Sequence, residues 1–66
     1  MRLTINGELI DTIRAATVQE LLAELKIDSG RVAVEVNMTV VKRADYPQFR
    51  LNDNDTIEIV NFVGGG

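Results

Sequence analysis

Asn6 and Gly7 stand between two short runs of alternating apolar and polar residues, and no other feature constrains the fold as much. Both residue types tolerate positive φ, so the dipeptide predicts a two-residue β-hairpin turn. In the first run Leu3 and Ile5 share one face and Arg2 and Thr4 the other, the period of a half-buried strand. The second strand is predicted from Glu8 to about Ile13. A lone hairpin is marginal in water, so the rest of the chain must cover its apolar face.

The next segment has the other period. Thr17 is a good N-cap with Glu20 three residues on, a capping box. Val18, Leu21, Leu22 and Leu25 fall at i, i+3, i+4 and i+7, one stripe of a helix. The helix is expected to end near Lys26, with Asp28 to Gly30 as its breaker. Val32, Val34 and Val36 then share one face of a third strand. Asn37 to Thr39 reads as a weaker turn, and residues 40–43 as a short fourth strand. An irregular stretch follows, because Pro47 disfavours helical backbone at Tyr46 and turn formers crowd Asn52 to Asp55. Phe49 and Leu51 are expected to pin it to the core. In the last strand Ile57 and Ile59 face inward and Glu58 outward.

The order β-β-α-β-β-β predicts an α+β domain, a sheet of four to five strands with one main helix on one face. Leu3, Ile5, Val34, Val36, Ile57 and Ile59 are then expected to face Val18, Leu21, Leu22 and Leu25.

At 66 residues the chain makes one domain. It has no Cys and no His, which excludes disulfides, thiolate zinc sites and catalysis by either residue. A Cys-free chain fits a cytoplasmic protein. No apolar run suits a signal peptide or approaches the ~20 residues of a membrane span. The net charge is −3 and the seven cations are scattered, a poor footprint for nucleic acid. An acidic domain suits a protein partner with a positive surface.

Candidate chemistry is sparse. Asp53 and Asp55 resemble the start of a calcium loop, but the required Gly and terminal Glu are missing, and a solvated turn is the better reading. Glu20 and Glu24 lie one helical turn apart and are expected to cap and solvate the helix. The hydroxyl residues have no histidine to activate them. The final three glycines are no phosphate loop, since no Lys follows and no helix begins there.

One group remains, the α-carboxylate of Gly66. It is ionised at neutral pH and inert until another enzyme activates it as a mixed anhydride. Glycines would give the end a small cross-section, suited to a narrow active-site channel. Residues 1–60 are expected to form the globular body and residues 61–66 a flexible tail, reaching about 20 Å at roughly 3.3–3.6 Å per residue. A frayed end without a role is the competing reading.

The whole chain resembles the ThiS family of bacterial thiamin-biosynthesis sulfur carriers, within the β-grasp, ubiquitin-like superfamily. The resemblance rests on "RLTINGELI", "TVQELLAEL", "VAVEVN", "VVKRADYPQF", the acidic turn "LNDNDTIEIV" and the terminal Gly-Gly. Where the family often has Gly between two aspartates, this chain has Asn54, which tolerates positive φ next best. The resemblance implies a cytoplasmic carrier and co-substrate, not an enzyme. The carboxylate of Gly66 would be adenylated by an E1-like enzyme, ThiF, and converted to a thiocarboxylate with sulfur from a donor protein. The thiazole synthase ThiG would then take the sulfur. Gly65 and Gly66 carry over as the reactive end. ATP would be used by the activating enzyme, with no cofactor bound by the carrier.

If Ile57 and Ile59 face the core, Val60 and Phe62 point the other way, beside the tail. They are the expected docking patch, with Gly64 adjoining; alternatively Phe62 folds back over the core edge. Tyr46 either joins this surface or covers the irregular loop. Competing functions are a molybdopterin-type or other sulfur carrier and a ubiquitin-like protein modifier.

Overall fold

A computed structural model describes residues 1–62 of the chain. Its strands are β1 (Leu3–Ile5), β2 (Glu8–Ile10), β3 (Val32–Val36), β4 (Thr39–Val41) and β5 (Thr56–Asn61), with one α-helix, α1 (Val18–Glu24). The five strands form one mixed sheet in the order β2-β1-β5-β3-β4. β5 is central, parallel to β1 and antiparallel to β3. This is the expected β-grasp arrangement. Leu3, Ile5, Val32, Val34, Val36, Ile57 and Ile59 form one buried cluster with Val18, Leu21 and Leu22 of the helix. Leu25, expected among them, is only partly buried at the helix end.

The first turn is as predicted. Ile5 pairs with Glu8, and Asn6 and Gly7 between them have φ of 49° and 83°. Such a turn matches the twist of the flanking strands. The turn into β4 is tighter than the sequence suggests. Asn37 and Met38 both have positive φ and join Val36 directly to its partner Thr39.

β2 stops at Ile10, short of the expected Ile13. Ile13 leaves the strand to enter the core, and the backbone beyond it bonds to a side chain instead of a neighbouring strand. The Glu24 carboxylate accepts from the N–H of Arg14 at 3.1 Å and of Ala15 at 2.8 Å. Glu24 therefore fastens the loop to the helix and is more than a solvated side chain. Thr17 Oγ1 accepts from Glu20 N at 3.2 Å, and Glu20 accepts from Ala16 N at 2.8 Å, a capping box with its return bond one residue early. The helix ends ahead of the expected breaker. Lys26 takes φ of 60°, its N–H bonds Ala23 O, and Ile27 N bonds Leu22 O, the two hydrogen bonds of a Schellman motif.

Residues 42–51 close the helix's other end. Val18 N donates to Phe49 O and Gln19 N to Tyr46 O, both at 3.0 Å, satisfying donors that a helix leaves open in its first turn. Leu51 is buried and Phe49 packs against the core, as expected. Asp55 differs from the solvated turn residue expected. It is 7% exposed and accepts from Asn52 N at 2.7 Å and Asn37 Nδ2 at 2.9 Å. Among the described residues no cluster of acidic side chains suits a metal ion. Asn54 takes the positive φ, 73°, that favours glycine. Asp55→Ala would remove the buried acceptor of two partly buried hydrogen bonds, and a loss of about 1–3 kcal/mol is expected in urea unfolding.

Candidate docking surface beside the C-terminal segment

The position of β5 follows from its sequence. Ile57 and Ile59 are apolar and alternate with Thr56, Glu58 and Val60, so the strand buries one edge of side chains and turns the other outward. Val60 is 58% exposed and Phe62 55%. Phe62 therefore does not fold back to cover the core. Its N–H donates to Arg31 O at 2.9 Å, so β5 stays zipped to the β3 side as far as residue 62. Strand β5 includes Asn61, and Phe62 follows it in this pairing. Backbone pairing, which a Gly-rich ending obscures, carries Asn61 and Phe62 with the body. Gly64, Gly65 and Gly66 lie outside the described residues.

Tyr46 is not part of this surface. It is 2% exposed, and its hydroxyl donates to Val32 O at 3.3 Å. β4 ends opposite Val34, so no β4 residue pairs with Val32, and the phenol takes that carbonyl. The ring supplies apolar area to the core while its polar tip finds a partner.

The sequence reading missed residues on β3 and β4 that extend the patch. Ala33 pairs with Val60, and Val40 pairs with Glu35 in the next row. Val40 is exposed. Glu35 also pairs with Glu58, so two carboxylates stand opposite each other between the apolar residues. Both are exposed. Among the described residues the one ion pair, Arg31 to Asp28 at 3.6 Å, leaves these glutamates without a cation. The signal was available, since alternation within each strand gives the face; register, which the sequence did not give, aligns the rows. The arrangement offers an apolar strip with a negative stripe, fitted to a partner of apolar and positive character. No described helix is long and apolar enough to cross a membrane.

The family model described as "ThiS family" matches residues 3–66. The chain belongs to the ThiS family. It is 44% identical over 50 residues to the sulfur carrier protein ThiS of Bacillus subtilis, covering 76% of each chain. A crystal structure of the thiamine biosynthesis protein ThiS from Geobacter metallireducens superposes with a TM-score of 0.82 at 36% identity over all of both chains. The chain is also 48% identical over 66 residues to a thiazole synthase of Paramagnetospirillum magneticum. It spans only 20% of the length of that protein. ThiS-family membership thus joins a body of known fold to a face whose apolar residues flank the exit of β5.

Phe62→Ser tests that face. If this patch docks the activating enzyme proposed below, removing the half-exposed ring is expected to raise the KM for the chain roughly ten- to a hundredfold, within the usual range of a hot spot. The unfolding midpoint should barely move. Steady-state kinetics with varied carrier concentration measure the first effect, and thermal unfolding the second.

Proposed function

We propose that the chain is a sulfur carrier of thiamin biosynthesis, working in the cytoplasm as a co-substrate and not as an enzyme. The observation that carries this is the exposed pair Val60 and Phe62 at the end of the central strand β5, with Phe62 four residues before Gly66 in the sequence. ThiS-family membership and the carrier relative support the same reading.

In this scheme a carboxylate oxygen of Gly66 attacks the α-phosphorus of ATP on the E1-like enzyme ThiF and pyrophosphate leaves. The acyl carbon is now electrophilic. The terminal sulfur of a donor protein's persulfide attacks it and AMP leaves. A thiol then attacks the donor's sulfur of the resulting acyl disulfide, forming a disulfide with the donor as the sulfur–sulfur bond breaks and the thiocarboxylate leaves. The carrier contributes a carboxylate, the slender Gly65 and Gly64 behind it, and a recognition surface. With neither Cys nor His in the sequence, the sulfur nucleophile and the acid–base groups come from partners. ThiG is the proposed acceptor. The match to a limited part of two longer thiazole synthases is what a carrier segment joined to a synthase would give. The scheme requires Gly66 to stand at a free end.

Complementation separates the pathways. A strain lacking its own thiamin carrier should grow without thiamin when it expresses this chain. Failure to restore growth, where a control carrier restores it, would overturn the thiamin assignment. Rescue of a molybdopterin-carrier deletion instead would point to the rival carrier.

A further inference from the structure

The turn residue Asn6 has a second task. β1 pairs with β5 only through Thr4↔Thr56 and Ile5↔Ile57, and Asn6 N adds a bond to Ile57 O at 2.9 Å. The hairpin then carries the chain away towards β2, while β5 continues to Asn61. On its other flank β5 is paired as far as Val32↔Asn61 and Phe62 N to Arg31 O. On the β1 flank the backbone ladder among the described residues stops at Ile57. The Asn6 side chain takes over there. Its Oδ1 accepts from Ile59 N at 2.7 Å and its Nδ2 donates to Ile59 O at 3.1 Å. One carboxamide thus stands in for one residue of β1, 53 positions away in sequence.

Only a side chain that both donates and accepts can make this pair. Aspartate keeps the acceptor but sets a carboxylate oxygen against the Ile59 carbonyl. Glycine suits the turn's positive φ but has neither group. The requirement for Asn6 is therefore separable from the requirement of the turn.

We propose that Asn6 is a positioning residue that clamps the free flank of β5 where the C-terminal segment leaves the sheet. It acts through Ile59, fixing the strand from which Val60 and Phe62 are presented. This role rests on the carrier function proposed above.

Amide exchange and kinetics test it together, on the full chain with its E1-like enzyme and ATP. Asn6→Gly should speed exchange of the Ile59 amide about tenfold, the usual net worth of one hydrogen bond, and Asn6→Asp less, because the carboxylate keeps the acceptor of the Ile59 N–H and loses only the donor to Ile59 O. Val34, in the buried centre of β3, should keep its protection. The same variants should raise the carrier's KM for adenylation several-fold with little change in kcat. Gly7→Ala is the control, because a side chain at φ of 83° strains the turn without removing the clamp. It should lower the unfolding midpoint and leave KM as it was. Faster Ile59 exchange with an unchanged KM would reduce Asn6 to a structural residue and overturn the proposal. Wild-type exchange at Ile59 in both variants would overturn the clamp itself. A wild-type chain that the enzyme cannot charge would sink the carrier function and this role with it. Normal wild-type charging that Asn6→Gly leaves untouched would sink this role alone.

Discussion

Deleting Gly66 is expected to cut adenylation by at least about a hundredfold and to leave the unfolding midpoint unchanged. The first half follows from reach. The deletion moves the terminal carboxylate back by roughly 3.3–3.6 Å along the chain. Misplacing a reacting group by even 1 Å can cost about 10²-fold. The second half follows from where the core lies. Every buried hydrophobic residue of the described chain falls between Leu3 and Ile59. ATP–pyrophosphate exchange reads the first effect and a thermal melt the second. A deletion that unfolds the domain would make the C-terminal glycines structural, contrary to the role given to them.

Leu21→Ala should have the largest effect on stability. Leu21 is 0% exposed, on the helix stripe packed against the sheet. Truncating such a leucine costs about 2–5 kcal/mol, the lost transfer energy plus the cavity left behind. At roughly 0.05–0.15 kcal/mol per residue, a domain this size is stable by only about 3–10 kcal/mol. The variant should therefore lose a fifth or more of its stability, and at the low end unfold outright. Urea unfolding would show a lower midpoint with an unchanged slope. A shift of only a few tenths of a kcal/mol would mean that the helix does not depend on its leucine stripe.

The contrast between Leu21 and Phe62 shows what periodicity reveals. Both are large and apolar. Spacing at i, i+3 and i+4 marks Leu21 as core, and alternation after Ile59 marks Phe62 as outward. Those repeats, with Asn6-Gly7 and Thr17, made the hairpin, the helix and the faces of the strands legible. Tyr46 sits beside Pro47 in a stretch without a repeat, so nothing local distinguishes a buried ring from an exposed one. Its burial depends on a carbonyl of Val32 that β4 does not reach. The side-chain bonds of Asn6, Asn37 and Asp55 were hidden for a similar reason. Apart from Asn52 N, three residues from Asp55, their partners lie far along the chain and become neighbours only once β5 has taken the centre of the sheet. Composition marks such residues as turn formers, and they are that as well. The docking strip was half legible. Val60 and Phe62 come from alternation within one strand, whereas Ala33, Glu35 and Val40 join them through register between strands.

The opposed pair Glu35 and Glu58 gives the surface its sign. Like charges directly opposite in a sheet oppose pairing. A domain that retains such a pair among exposed apolar residues has a face that a cationic partner would relieve. That agrees with the proposed task of a body recognised while its end is modified elsewhere.

The intact mass of the chain is the most direct test of that task. The protein would be incubated with ATP, its E1-like enzyme and a persulfide donor, then weighed whole and after fragmentation. Exchange of one oxygen for one sulfur, located at Gly66, is the predicted result. An unaltered mass, under conditions that charge a control carrier, would contradict it.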